Sequence, residues 1–241
     1  MTKSSFGMTR FFALFDLHVP NEDSTVVKIA KDFHHDFKPH ISIAGGDWQD
    51  VGMVSTFADE DTIDLADEFE AVNSYMDMFK VTHWLEGNHE ERLRRVGLSN
   101  PRLRKILSPA LNLNFEKRGT HIFPYHRRRG VLKLGKLKVI HGFYTNEYVA
   151  RKTSDAFGCC VFGHAHRFQS YQPKTCFEGR TGFSIGCGAK LDLPYTSSRP
   201  PSGWMQGFVF GYILKSGHFS LYPVRIVGPE VIINGKPYTR R

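Results

Sequence analysis

Five short apolar segments of this 241-residue chain each run directly into a loop holding Asp, Asn or His, and this recurrence constrains the fold more than any other feature. Residues 10–15 lead into Asp16-Leu17-His18, and residues 41–44 into Gly45-Gly46-Asp47. Residues 81–85 lead into Glu86-Gly87-Asn88-His89-Glu90. Later, 136–140 end at His141-Gly142, and 159–162 at Gly163-His164-Ala165-His166. Apolar runs this short, bounded by glycine and polar residues, have the length of buried strands. Helical patterns separate the first three. Residues 26–37 space Val26, Ile29, Ala30 and Phe33 three or four apart, and residues 61–79 do the same with Ile63, Ala66, Phe69, Val72, Met76 and Phe79. Each is an amphipathic stripe. The acids of the second helix are expected on its outer face and near its N-terminal end, where the macrodipole favours them. Strand, helix, strand, helix, strand predicts an α/β first half with parallel pairing.

The second half reads differently. Segments 136–140, 159–162, 182–185, 208–214 and 219–226 form strands with short connections, and Asn234-Gly235 signals a late hairpin because that pair readily takes positive φ. No repeat and no low-complexity linker divides the chain, so one domain over residues 1–241 with a mixed sheet built from both halves is expected. The stretch 194–203, rich in Pro and Ser, is either a loop near the site or a surface excursion.

Ligand sites in open α/β sheets form at the carboxyl ends of strands, so these five loops are able to converge. In an extended segment, Asp-x-His and His-x-His would set two ligand atoms on one side, because side chains alternate with period two. Glycines let backbone approach without an intervening Cβ. Imidazole, carboxylate and amide oxygen together suit divalent first-row metals. His34, His35, His40, His83, His121, His126 and His218 stand outside these motifs and read as structural or surface histidines.

The ordered set Asp-x-His, Gly-Asp-x-x-Asp, Gly-Asn-His-Glu, His and Gly-His-x-His, spanning residues 16–166, resembles the calcineurin-like metallophosphoesterase superfamily. The resemblance implies a four-layer α/β/β/α sandwich with two mixed sheets and a dinuclear centre at the sheet edges. It implies Asp16, His18 and His166 as ligands of one metal and Asn88, His141 and His164 as ligands of the other, with Asp47 bridging. It implies two divalent ions, manganese foremost, with iron, zinc or nickel as alternatives. It implies His89 as the general acid and Asp50 as the carboxylate that orients that histidine and raises its pKa. The implied reaction is in-line hydrolysis of a phosphate ester by metal-activated hydroxide, with no covalent intermediate.

Substrate class rests on the remaining charges. Where the protein-phosphatase branch continues its Gly-Asp-x-x-Asp block with a phosphate-gripping Arg, this chain has Val51, so Arg92 or Arg95 becomes the candidate guanidinium. The net charge is +8 although residues 59–70 hold seven acids and no base, which leaves the remainder strongly basic. Basic runs at 92–105 and at Arg127, Arg128 and Arg129, with Phe123, Tyr125 and Phe143 nearby in sequence, suit a nucleic-acid backbone. A phosphodiesterase or nuclease acting on nucleic acid or nucleotides is therefore expected. A Ser/Thr-type protein phosphatase is the alternative, and a non-catalytic interaction scaffold the third reading. No apolar run reaches the length of a membrane span, residues 1–10 do not read as a secretory signal, and Cys159, Cys160, Cys176 and Cys187 form no Cys-x-x-Cys pair. An intracellular, cytoplasmic protein with reduced thiols is expected.

Overall fold

In the computed structural model, which describes residues 7–55, 62–174, 180–193 and 203–240, strand β1 (Thr9–Leu14) lies inside the larger of two sheets. Alternation along β1 decides what each of its faces meets. Phe12 and Leu14 face a helical layer made of α1 (Ser24–Phe37) and α2 (Leu65–Met78), where they join Ile29, Phe33, Phe69, Val72 and Met76. Phe11, Ala13 and Phe15 face the second sheet and meet Leu137, Val139 and Val161.

The larger sheet also contains β2 (Ile41–Ala44), β3 (His83–Leu85), β4 (His121–Phe123), β10 (Gln206–Ile213) and β11 (Phe219–Ile226), in the order β11-β10-β1-β2-β3-β4. Strands β1 to β4 pair in parallel, and β10 closes antiparallel on β1 with Phe12 opposite Phe210. The same alternation recurs in β10: Phe208 and Phe210 face the helices, Val209 and Ile213 the other sheet. The second sheet runs β5 (Leu132–Leu134), β6 (Leu137–Ile140), β7 (Cys160–Phe162), β9 (Gly182–Ser184) and β8 (Gln169–Tyr171). Its outer face packs Ile140, Cys160 and Phe162 against Val149 and Ala150 of α6 (Val149–Phe157). The layers are helix, sheet, sheet, helix, as the sandwich expectation required.

Every expected strand is present within one or two residues of its expected ends. The late hairpin, β12 (Glu230–Ile233) and β13 (Lys236–Thr239), turns through Asn234 and Gly235 with φ of +52° and +78°. Asp23 caps α1 by accepting the N–H groups of Thr25 and Val26 at 2.8 and 3.1 Å. No helix among the described residues is long and apolar enough to cross a membrane. Cys160 and Cys187 are buried free thiols, and Cys159 is half-buried. Cys176, Asp61, residues 194–202 and Arg241 lie outside the described residues. The helix expected over 61–79 is shorter: residues 62–64 are not helical, it runs Leu65–Met78, and Ala66 of its expected apolar stripe is exposed.

One expectation for α2 is corrected. Glu68 does not face outward with its acidic neighbours: it is 1% exposed and accepts the Val51 N–H at 3.0 Å. Burial first, then the Asp50 and Glu90 charges, lift its carboxyl to about 8. Three connecting helices, α3 (Asn88–Ser99), α4 (Pro109–Asn112) and α5 (Phe115–Arg118), link β3 to β4. Of these, α3 positions the site.

Candidate metal centre

The parallel run of β1, β2 and β3 ends at one edge of the larger sheet, and β6 and β7 end beside it in the second. Their loops are tied across the gap. His164 donates its backbone N–H to Asp16 Oδ2 at 2.8 Å, and His141 donates Nδ1–H to the Gly45 carbonyl at 3.0 Å. Asp16 and His18 donate their own backbone N–H groups to the carbonyls of Gly46 and Asp47, each at 3.0 Å.

These ties bring together all seven residues expected as metal ligands. Asp16, His18 and His166 form one cluster, and Asp47, His141 and His164 a second, with each residue's ligand atom within 4.8 Å of the others in its cluster. Asn88 Oδ1 lies 3.3 Å from His141 Nε2, and Asp47 Oδ2 lies 3.2 Å from the same nitrogen. The period-two argument for Asp-x-His and His-x-His is corrected, however. Asp16, His18, His164 and His166 all have φ between +50° and +64°, so none is in extended backbone. His164 and His166 point into different clusters. The left-handed conformations are a local strain, smaller for Asp and His than for branched residues, that the surrounding hydrogen bonds hold in place.

Three glycines keep the approach open. A Cβ on Gly87 would collide with the Asp47 carboxylate, one on Gly163 with Asp16, and one on Gly46 with His141. Glu90 holds the same loops from behind. It is wholly buried and accepts N–H groups from Asp47, Trp48, Gln49 and Gly87 at 2.7–3.2 Å. Sequence reasoning placed Glu90 in the Gly-Asn-His-Glu block but gave it no role. The available signal was its place three residues after Gly87 at a helix start, the acceptor half of a capping box. Burial and the Asp47 charge raise its carboxyl to about 7.

The donor set fits divalent cations. Asp16 Oδ1 is buried without a hydrogen-bond partner, while His18 Nε2 and His166 Nε2 face one another at 3.3 Å. Two ring nitrogens in that relation, beside an orphaned carboxylate oxygen, are satisfied by a shared positive centre. Outer contacts choose the free nitrogen of each ring, because carbonyl and carboxylate oxygens only accept. The Gly45 carbonyl fixes the proton of His141 on Nδ1, and Asp50 Oδ1, 2.9 Å away, does so for His18. Burial opposes charge at Asp47 and Asp16, yet neighbouring imidazoles outweigh it and hold both carboxyls below their ordinary range. Burial likewise opposes a cationic His141, but Asp47 raises it to about 9. Burial and the His141 charge lower His164 to about 4, so its ring is held neutral, the form in which an imidazole can bind a cation.

His89 and Asp50 adjoin the centre. His89 accepts no proton from Asp47; its backbone N–H donates to Asp47 Oδ1 at 2.9 Å, and its Nε2 stands 4.0 Å from Asp47 Oδ2. The expectation that a carboxylate raises the His89 pKa is not met: burial is the largest influence and lowers it despite Asp47 and Asp50. Val51 is fully buried with φ of +49°, so nothing at that position reaches toward a substrate. Arg92 and Arg95 follow on α3, one and two turns past Asn88 and His89, with Arg95 3.3 Å from Glu91. Arg127, Arg128 and Arg129 are exposed on the turn after β4, which leaves the same sheet edge, and none pairs with a carboxylate among the described residues. Tyr125 was expected only as a nearby aromatic. Its ring lies 5.7 Å from that of His141 and stacks on Phe143 at 4.8 Å. Trp204, which the motifs did not flag, sits 4.3 Å from the His166 ring.

No family model and no curated protein matches this sequence. The fold is similar to that of Vacuolar Protein Sorting 29 from Cryptosporidium parvum, with a TM-score of 0.50 and 14% identity over 96% of this chain and 95% of that one. A single mutant of Vps29 from Entamoeba histolytica aligns with 10% identity and a TM-score of 0.40, covering 90% of this chain and 99% of that one. A conserved uncharacterized protein from Streptococcus pneumoniae, described as a predicted phosphoesterase, aligns with 11% identity and a TM-score of 0.35, covering 89% and 97%.

Proposed function

We propose that this chain, which has the calcineurin-like metallophosphoesterase fold, hydrolyses phosphate esters with two divalent cations and takes phosphodiesters of nucleic acid or nucleotides as substrate. One observation carries the reading: two largely buried Asp/His clusters lie at the strand ends, and Asn88 Oδ1 stands 3.3 Å from His141 of the second. When bound, two cations would supply an activated water and neutralise charge on the phosphate oxygens. Asp16, His18 and His166 would hold one, Asn88, His141 and His164 the other, and the two oxygens of Asp47 allow it to serve both.

The chain's own groups account for the remaining tasks. His89 has its Nδ1 proton committed to the Asp50 carbonyl at 2.7 Å, which leaves Nε2 uncommitted, 4.0 Å from Asp47 Oδ2. Nε2 is thus the atom that would give a proton to the leaving oxygen, and a bound phosphate beside it would favour the imidazolium. Arg92, half-buried on the face of α3 that carries Asn88, supplies a guanidinium for a non-bridging oxygen. The exposed arginine turn at 127–129, which follows β4 at the edge where β1, β2 and β3 also end, supports an extended polyanion over a phosphorylated side chain, since three cations there would neutralise further phosphates. A non-catalytic scaffold would have no use for a complete ligand set or for a histidine aimed beside it.

The test is turnover of bis-p-nitrophenyl phosphate and p-nitrophenyl phosphate by chelator-treated protein reloaded with Mn²⁺, alongside the His89→Ala variant. Diester turnover that saturates at two ions per chain is expected. The variant should keep its metal and lose about 10²–10⁴-fold on esters with poor leaving groups. Monoester turnover alone would point to the phosphatase reading, and a metal-loaded protein inert to both would leave the scaffold.

A further inference from the structure

We infer that Asp50 is a positioning residue for the cation-binding imidazole of His18, and that it holds His89 through its main chain alone. Three distances carry this. The carboxylate Oδ1 is 2.9 Å from His18 Nδ1 and 3.4 Å from His89 Nδ1, while the Asp50 carbonyl oxygen is 2.7 Å from His89 Nδ1. His89 has one Nδ1 proton, and the nearer acceptor is the carbonyl. The carboxylate is thereby left to His18, whose Nδ1–H it accepts.

The surroundings make that bond consequential. The His18 side chain is 2% exposed and that of Asp50 17%, so their interaction is weakly screened. The His18 ring packs edge-on against the His89 ring at 4.7 Å and 82°, and against the His166 ring at 5.2 Å. With Nδ1 fixed by Asp50, His18 must present Nε2 to His166 and Asp16. Asp50 is itself anchored, since its backbone N–H donates to the Val19 carbonyl at 3.3 Å and Glu90 pins residues 47–49 just before it.

His18, Asp50 and His89 form a third cluster with ligand-type atoms within 4.8 Å of one another. It is not a third cation site, because both Nδ1 protons are already committed to Asp50. It is the outer layer of the first. A ligand's outer partner commonly changes metal affinity by 10–100-fold. The sequence position of Asp50, three after Asp47, suggests a role toward the acid; the geometry moves its carboxylate to a ligand.

The inference rests on the cation-binding part of the proposed function and not on hydrolysis. Isothermal titration of the metal-free full chain with Mn²⁺ reads two binding constants for wild type, Asp50→Ala and Asp50→Asn. Asp50→Ala should weaken one Mn²⁺ site about 10–100-fold and leave the other unchanged. Asp50→Asn, which keeps an accepting oxygen, should recover part of the loss. Long-range ¹H–¹⁵N spectra of the metal-free proteins read the imidazole tautomers directly. His18 should be locked with its proton on Nδ1 in wild type and released in Asp50→Ala, with the His89 signals unmoved. Equal Mn²⁺ affinities in all three proteins, or a tautomer change at His89 in place of His18, would overturn the assignment. If wild type bound no Mn²⁺, the proposed function would fall, while the tautomer spectra would still judge Asp50.

Discussion

Glu68 shows how a single buried acid couples this fold to pH. Its ordinary value is 4.5 and its folded value about 8, because burial and the nearby Asp50 and Glu90 charges disfavour the anion. Below pH 4.5 both folded and unfolded chains carry the proton. Between 4.5 and 8 the unfolded chain gives it up first, so stability falls as pH rises, and the loss is complete above about 8. Glu68→Gln keeps an acceptor for the Val51 N–H and removes the titration. Its unfolding free energy relative to wild type should therefore improve from pH 5 to pH 8, by on the order of 4 kcal/mol. Denaturant melts at the two pH values measure this; a difference independent of pH would mean that Glu68 ionises freely in the folded chain. The same burial distinguishes the histidines. His34 lies on Ser42 Oγ at 2.9 Å in the core and has no acid to hold its charge, so it drops to about 4. His141 faces Asp47 and rises instead.

Elements contribute edges and turns. Because β1 to β4 are parallel, all four release their following loops at one edge, and the turn after β4 is delivered to the edge that holds the metal ligands. That turn is closed by the Gly130 N–H donating to the His126 carbonyl at 2.7 Å, while His126 Nδ1 accepts from the Arg128 and Arg129 backbones. Three guanidiniums are left facing solvent. Replacing Arg127, Arg128 and Arg129 by Ala should lower the magnitude of the slope of log K against log salt for a labelled single-stranded oligonucleotide by about 2, at roughly 0.7 per phosphate contact. A slope identical to wild type between 50 and 200 mM salt would remove the turn from the interface. Helix α3 performs a different task, since its first residues, Asn88 and His89, are site residues and its third, Glu90, straps three loop amides.

At the scale of the molecule, the candidate ligands are divided between sheets. Asp16, His18, Asp47 and Asn88 follow strands of the larger sheet, and His141, His164 and His166 follow strands of the second. Each cluster draws on both, so each cation would cross-link the sandwich along an edge where it otherwise relies on a few hydrogen bonds. Binding that favours the folded chain stabilises it by mass action, about 2.7 kcal/mol per site at a hundred times Kd. For a chain of this size each kcal/mol moves Tm by roughly 2–4 °C. Saturating Mn²⁺ should raise Tm by roughly 5 °C or more, and chelator should reverse it. An unchanged Tm in protein shown to carry the metal would mean that the ions do not join the sheets.

The sequence by itself determined most of the strands and the residues at their ends, because apolar runs, helical spacing and strand-stopping glycines are local properties of the chain. The short strands His121–Phe123, Leu132–Leu134 and Gln169–Tyr171 and the order within each sheet came only from the structure. The sequence also carried the candidate ligand set, since Asp16, His18, Asp47, Asn88, His141, His164 and His166 each lie directly after such a run or in the loop it opens. Only the tertiary structure decided how they divide. The left-handed backbone at 164 and 166 sends neighbouring imidazoles into separate clusters, and no alternation rule contains that. The inward turn of Glu68, the hold of Glu90 on the amides of residues 47–49 and the split of Asp50 between His18 and His89 depend on distances between segments 17 to 43 residues apart in the chain. Hydrogen bonds of that kind are fixed by how the parallel strands of the larger sheet bring their following loops to one edge, a geometry that no single segment encodes.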